Sequence, residues 1–194
     1  MREIIFATHN KHKTAEIQQV INDKVKIISL DALGESKDIP ETGDTLKENA
    51  QQKAAYIYEK YGKDCFADDT GLEVEALDNR PGVYSARYAG EKCSFDDNID
   101  KLLEEMEGKT NRKARFRTVI CLIEGGKEKY FEGECRGVIT TERYGKKGFG
   151  YDPVFIPDGY GESFAEMSGE EKNKISHRGI ATRKLINYLL GKDK

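Results

Sequence analysis

Three groups of polar residues have the types and spacing to do chemistry, and together they suit a phosphorylated substrate. The first, Thr8-His9-Asn10-Lys11-His12-Lys13, lies between an apolar run and a segment of helical spacing. A loop that opens a helix presents unpaired N–H groups and the positive end of the helix dipole to an anion, and Lys13 adds a point charge. Phosphate is the obvious anion. The loop lacks the glycine pattern of a P-loop or a dinucleotide fingerprint, and an ordinary capped turn has the same residue types.

The second group, Asp68-Asp69-Thr70-Gly71, stands at the end of a strand, Cys65-Phe66-Ala67. Neighbours in a strand point to opposite faces, so the two carboxylates have different jobs. Magnesium uses one or two carboxylates, keeps several waters and takes phosphate oxygens from its substrate. Glu41, ahead of another glycine turn, would complete the acidic side. The competing reading is an Asp-rich type I turn. The third group, Lys172, Ser176, His177 and Arg178, precedes the last helix. Arg178 brings fixed donors suited to carbonyl or phosphate oxygens. Phe149, in the glycine-rich loop Gly148-Phe149-Gly150-Tyr151-Asp152-Pro153, offers a flat face for a base with Asp152 beside it. A tight corner packed by Phe149 and Tyr151 would read the same way.

The elements that position these groups follow from periodicity. Glu3 to Thr8 reads as a strand, and Ile17, Val20 and Ile21 mark a helix after the polar loop. Val25 to Leu30 is a second strand. Thr45 with Glu48 forms a capping box, and Leu46, Ala50, Ala54 and Ile57 keep one apolar side until Tyr61-Gly62. Leu72 to Leu77 alternates until Arg80-Pro81-Gly82 breaks it. Ser94 with Asp97 caps a third helix. Arg115 to Glu124 and Glu128 to Arg136 form a hairpin about Gly125-Gly126, Val154 to Ile156 is a short strand, and Ala181 to Leu189 build the terminal helix. Crossover helices combined with a hairpin predict an α/β fold with a mixed sheet.

Composition bounds the partners. The 194 residues carry 32 Lys and Arg against 35 Asp and Glu, a net charge of -3, which argues against a broad basic face for nucleic acid. No apolar stretch approaches the roughly 18 residues of a spanning helix, so no membrane partner is expected. Met1-Arg2-Glu3 runs into Ile4-Ile5-Phe6 without a secretory leader, so the expected location is cytoplasmic. Cys65, Cys93, Cys121 and Cys135 form no CxxC pair and read as reduced and structural. With no linker or repeat, residues 1–194 read as a single domain.

Long motifs in order make the chain resemble the inosine/xanthosine triphosphate pyrophosphatase, or HAM1-like, family. They are Ala7 to Lys13, Glu41-Thr42-Gly43, Glu48-Asn49-Ala50, Ala67 to Leu72, Pro81 to Tyr88, Gly148 to Pro153, and Phe164-Ala165-Glu166-Met167 through Ser176-His177-Arg178. The resemblance implies a two-lobed α/β fold, with a long mixed sheet flanked by helices and a substrate cleft between the lobes. It implies a homodimer and magnesium-dependent hydrolysis of ITP, dITP or XTP to the monophosphate and pyrophosphate. Carried over, Thr8, Asn10 and Lys13 hold the triphosphate, in the loop that also contains His9, Lys11 and His12. Asp69 is the general base, Thr70 touches substrate, and Lys53 contacts phosphate. Glu41, Asp68 and Asp69 form the magnesium side, while Phe149, Gly150, Tyr151, Asp152, Lys172, His177 and Arg178 bind and read the base. His9 stands where relatives often have glycine, and either narrows the loop or points outward. Two rivals stay open: a nucleotide sensor without turnover, and a phosphatase that releases orthophosphate.

Overall fold

The computed structural model describes residues 2–20, 25–37 and 39–192. Contacts divide the chain into two compact units. Unit 1 comprises Met1–Asp69, Thr118–Gly133 and Arg178–Lys194, and unit 2 comprises Thr70–Arg117 and Glu134–His177.

In unit 1, β1 (Arg2–Phe6) pairs in parallel with β2 (Val25–Ser29) and with β3 (Cys65–Val74). Ile4, Ile5 and Phe6 are all buried, as befits a parallel strand covered on both faces. The Phe6 and Phe66 rings stack at 4.5 Å, in a core that also takes Ile17 from α1 (Lys11–Val20) and Leu185 from α5 (His177–Leu189). The rest of the expected α1 stripe, the Val20 side chain and Ile21, lies outside the described residues. The anticipated capping box starts α2 (Leu46–Tyr61), and Gly62, in the left-handed conformation, ends it by donating its N–H to the Tyr58 carbonyl.

In unit 2, the Ser94 and Asp97 capping box starts α3 (Phe95–Glu105). Its Ile99 and Leu102 pack with Leu72, Phe116, Phe155 and Phe164. β5 (Lys113–Glu124) joins β6 (Lys127–Ile139) through Gly125 and Gly126, both at positive φ, in unit 1. β7 (Phe155–Pro157) pairs antiparallel with β6. The strand order is β2-β1-β3-β5-β6-β7, with a short β4 (Arg80–Pro81) on β3, so the expected mixed sheet flanked by helices is found, and it is open. β3, β5 and β6 each contribute residues to both units.

Three local readings are corrected. Asp68 and Asp69 do not end a strand: β3 runs unbroken from Cys65 to Val74, because both carboxylates are buried against cations and need no turn to reach water. Arg80-Pro81 does not simply break the chain but pairs antiparallel with Glu73 and Val74, which proline tolerates in a two-residue strand at the edge of the ladder. Ser168 and Glu171 have capping-box spacing in sequence, where they read as punctuation of the last helix. Instead they cap a separate helix, α4 (Gly169–Ile175), which carries Lys172.

All four cysteines are free thiols, and burial pushes Cys65, Cys121 and Cys135 up to about 12. No helix among the described residues is long and apolar enough to cross a membrane.

Candidate functional site

Unit 1 gathers the phosphate-loop and acidic residues. The loop closes on itself: the Asn10 side-chain oxygen accepts from the His12 and Lys13 amides at 3.0 and 3.3 Å, and the Thr8 hydroxyl accepts from the Asn10 amide. Asn10 is thereby the cap of α1, as a helix-opening loop requires. Lys11 and His12 are exposed, while Lys13 projects from the first turn of α1 to the Asp68 carboxylate at 3.0 Å. The Arg178 guanidinium, at the start of α5, approaches Asp68 at 3.6 Å and is hydrogen-bonded to Glu16 of α1. Burial works against the Asp68 charge, but Lys13, Arg178 and Lys53 outweigh it and hold this carboxyl at about 2.

Asp69 has other partners, as strand alternation requires. The Asn49 amide donates to it at 3.1 Å, and the Lys53 ammonium lies 3.6 Å away. Asn49 and Lys53 stand one helical turn apart on α2, so they share a face. Lys53 makes its closer contact with Glu41, and the two carboxylates raise its pKa against the cost of burial. Asp69 receives the more distant share of that charge, and burial pushes its carboxyl up. Neighbouring aspartates are thus driven apart, one held ionised and the other drawn toward protonation.

Magnesium fits this donor set. Glu41 and Asp69 are hard oxygen donors already drawn about a single cation, the Lys53 ammonium. Among the described residues, no cluster of three His, Cys, Asp or Glu side chains offers a closed metal site. A pair of carboxylates completed by phosphate and water is magnesium's usual demand.

Unit 2 gathers the aromatic and base-side residues. The Asp152 carboxylate accepts from the Phe149 amide at 2.8 Å and from the Lys172 ammonium at 2.7 Å. This closes the loop about Gly148, where an added Cβ would lie 2.0 Å from the same carboxylate oxygen. Lys172 sits 5.1 Å over the half-buried Phe149 ring. Gly150 holds positive φ, while Tyr151 is buried in the core with its hydroxyl donating to the Ser85 carbonyl at 2.9 Å. His177 is buried and stacks on Phe116 at 4.6 Å, and Thr70 is half-buried on β3.

The expected residues therefore fall into two sets: Thr8 to Lys13, Glu41, Lys53, Asp68, Asp69 and Arg178 in unit 1, and Thr70, Phe149 to Asp152, Lys172 and His177 in unit 2. His9 turns outward, its Nε2 3.0 Å from the Lys37 carbonyl. Two participants were missed. Asn49 signalled itself as a polar residue four positions before Lys53 and beside the α2 stripe. Glu16 gave no signal, because its partner Arg178 is 162 residues away.

The chain is similar to known proteins over nearly its whole length. A family model described as the Ham1 family matches residues 4–188. The dITP/XTP pyrophosphatase of Flavobacterium psychrophilum is 54% identical over 186 residues, covering 96% of this chain and 98% of that protein. The dITP/XTP pyrophosphatase of Porphyromonas gingivalis is 54% identical over 191 residues, covering 98% of each. The Staphylococcus aureus Ham1 protein has a similar structure, with a TM-score of 0.89 at 39% identity, covering 99% of this chain and 100% of that one. A HAM1 protein from Coxiella burnetii gives 0.91 at 39% identity, covering 98% and 100%. The chain belongs to the Ham1 family.

Proposed function

We propose that this protein is a nucleoside triphosphate pyrophosphohydrolase that removes the non-canonical purine nucleotides dITP, ITP and XTP from the nucleotide pool. The observation that carries the reading is that adjacent aspartates have separate partners: Asp68 is ion-paired with Lys13 and Arg178, whereas Asp69 accepts from Asn49 and lies 3.6 Å from Lys53, which also holds Glu41. Relatives named dITP/XTP pyrophosphatase at 54% identity support the substrate class, and weigh against a sensor without turnover.

Asp69 is the general base: it orients a water toward the α-phosphorus and takes its proton, while Asn49 and Lys53 fix the carboxylate. The Thr8 to Lys13 loop holds the phosphates. Asp68 is the counter-ion that aims Lys13 and Arg178 rather than a metal ligand. Glu41 and Asp69 would hold a magnesium ion, which would supply positive charge to the phosphates and to the leaving pyrophosphate. A charge argument supports that requirement: Lys13, Lys53 and Arg178 are already matched by Glu16, Glu41, Asp68 and Asp69. A polyphosphate needs further cationic charge.

Phe149 and Lys172 form the base platform. Arg178, aimed by Glu16 and Asp68, and His177 donate to O6, which is an acceptor in hypoxanthine and xanthine; adenine presents an amino donor there and leaves donors facing donors. The two units act as one domain over residues 1–194, in a cytoplasmic homodimer, an assembly that light scattering tests directly.

The deciding experiment is steady-state hydrolysis of dITP, ITP, XTP, GTP and ATP with magnesium, measuring pyrophosphate and orthophosphate separately. Pyrophosphate from the first three, lost on chelation, is expected. Orthophosphate as first product, or equal turnover of ATP, would sink the reading.

A further inference from the structure

Besides Lys13, which reaches Asp68, His9 carries the phosphate loop beyond itself. Thr8 and Asn10 hydrogen-bond within the loop. His9 instead places Nε2 3.0 Å from the Lys37 carbonyl, across 28 residues of sequence, and Nδ1 3.8 Å from the Asp31 carboxylate. A carbonyl only accepts, so Nε2 carries the proton and donates.

The receiving segment is itself anchored. Residues 31–33 form a short turn closed by Gly34 at φ +68°. The buried Glu35 carboxylate then accepts from the Lys37 amide at 3.2 Å and the Tyr61 hydroxyl at 3.3 Å, and is ion-paired with Lys60. Lys60 and Tyr61 close the same α2 that presents Asn49 and Lys53 to Asp69. One connected path therefore runs from the end of α2 through Glu35 and Lys37 to His9 and the phosphate loop.

We infer that His9 is a positioning residue that clasps the phosphate loop to the 31–37 segment, and through it to α2, rather than a group that touches substrate. The inference rests on the proposed phosphate-binding role of the loop. A glycine at this position removes the clasp and leaves the loop to be ordered at the expense of substrate affinity.

The test compares His9→Gly, His9→Gln, Glu35→Ala and the double variant His9→Gly/Glu35→Ala, by dITP kinetics and by amide hydrogen exchange without substrate. His9→Gly should raise KM about fivefold, the worth of one hydrogen bond, with kcat within about twofold. Exchange over residues 31–37 should quicken. His9→Gln keeps a donor for the Lys37 carbonyl and should restore both readouts, whether or not Glu35→Ala folds. The double variant should be no worse than the poorer single one, as expected for two residues in one chain of contacts. Unchanged exchange in His9→Gly, a glutamine as impaired as glycine, or multiplying effects in the double variant would overturn the clasp. A parent protein that hydrolyses neither dITP nor XTP overturns the proposed activity instead, and leaves the exchange result standing.

Discussion

Asp68 and Asp69 share one strand and one residue type, yet their partners give them opposite consequences for stability. Asp68 is held at about 2, below the ordinary carboxylate range near about 4. A carboxyl with a depressed folded-state pKa adds stability that is fully present above its unfolded value and is lost as pH falls through its folded one. Asp68→Asn should therefore flatten the acid limb of a urea-midpoint profile between about pH 4 and about pH 2, and lower the midpoint at neutral pH. A profile parallel to the parent's would contradict the pairing with Lys13 and Arg178. Asp69 has the reverse sign. Burial raises its pKa, so the folded state binds the proton more tightly than the unfolded chain, and ionisation above the ordinary range costs stability. Asp69→Asn removes that cost while Lys53 keeps Glu41 as its partner. Turnover should fall at least about 100-fold, the scale of a lost general base, with a melting temperature at neutral pH no lower than the parent's. That the two aspartates have different jobs was legible in sequence, because alternation along a strand is local geometry, but which job falls to which was not. Nor was which of them met Lys13, since that contact spans 55 residues.

At the scale of elements, α2 does the positioning. Its start was readable from Thr45 and Glu48, and the same cap brings Gly43 against the helix: the Gly43 amide donates to the Asn49 side-chain oxygen at 2.8 Å. A Cβ there would stand 2.6 Å from the Glu48 Cβ and 3.0 Å from that oxygen. Asn49 thus joins the Glu41-Thr42-Gly43 turn to Asp69 with opposite ends of one amide. Two α2 variants separate helix stability from site geometry. Thr45→Ala removes a cap and should cost about 1 kcal/mol in chemical denaturation while leaving kcat within about twofold. Asn49→Ala removes the acceptor of the half-buried Gly43 amide and one donor to the buried Asp69 carboxylate, so it should cost about 1–3 kcal/mol and also lower kcat at least about tenfold. Equal kinetic effects of the two would mean that Asn49 acts only through the helix. Capping boxes are visible in sequence because their two members lie three residues apart. α4 escaped notice because it is so short that its cap looked like punctuation for α5.

For the whole molecule, the mixed sheet followed from crossover helices and a glycine hairpin, whereas two lobes were expected only from the family resemblance and the boundaries of the two units were not readable. These boundaries fall inside β3, β5 and β6 and between His177 and Arg178, where composition does not shift and no linker intervenes. The division nevertheless sorts the chemistry. Most groups proposed for phosphate and metal belong to unit 1, and these would meet what every nucleoside triphosphate has in common. Of the groups proposed to meet what distinguishes one base from another, Phe149, Asp152, Lys172 and His177 belong to unit 2 and Arg178 to unit 1. Variants in the two units should therefore fail differently. Lys13→Met removes a phosphate-side charge and should lower kcat/KM for dITP and dATP by the same factor, leaving their ratio within about twofold. His177→Phe keeps the stack on Phe116 but removes the ring donors proposed for O6. It should lower dITP turnover more than dATP turnover, narrowing the ratio about tenfold, because a donor that rejected the adenine amino group is gone. Parallel kcat/KM measurements on both nucleotides decide the matter: if Lys13→Met changes the ratio as much as His177→Phe does, Lys13 takes part in base selection and is not a phosphate-side group alone.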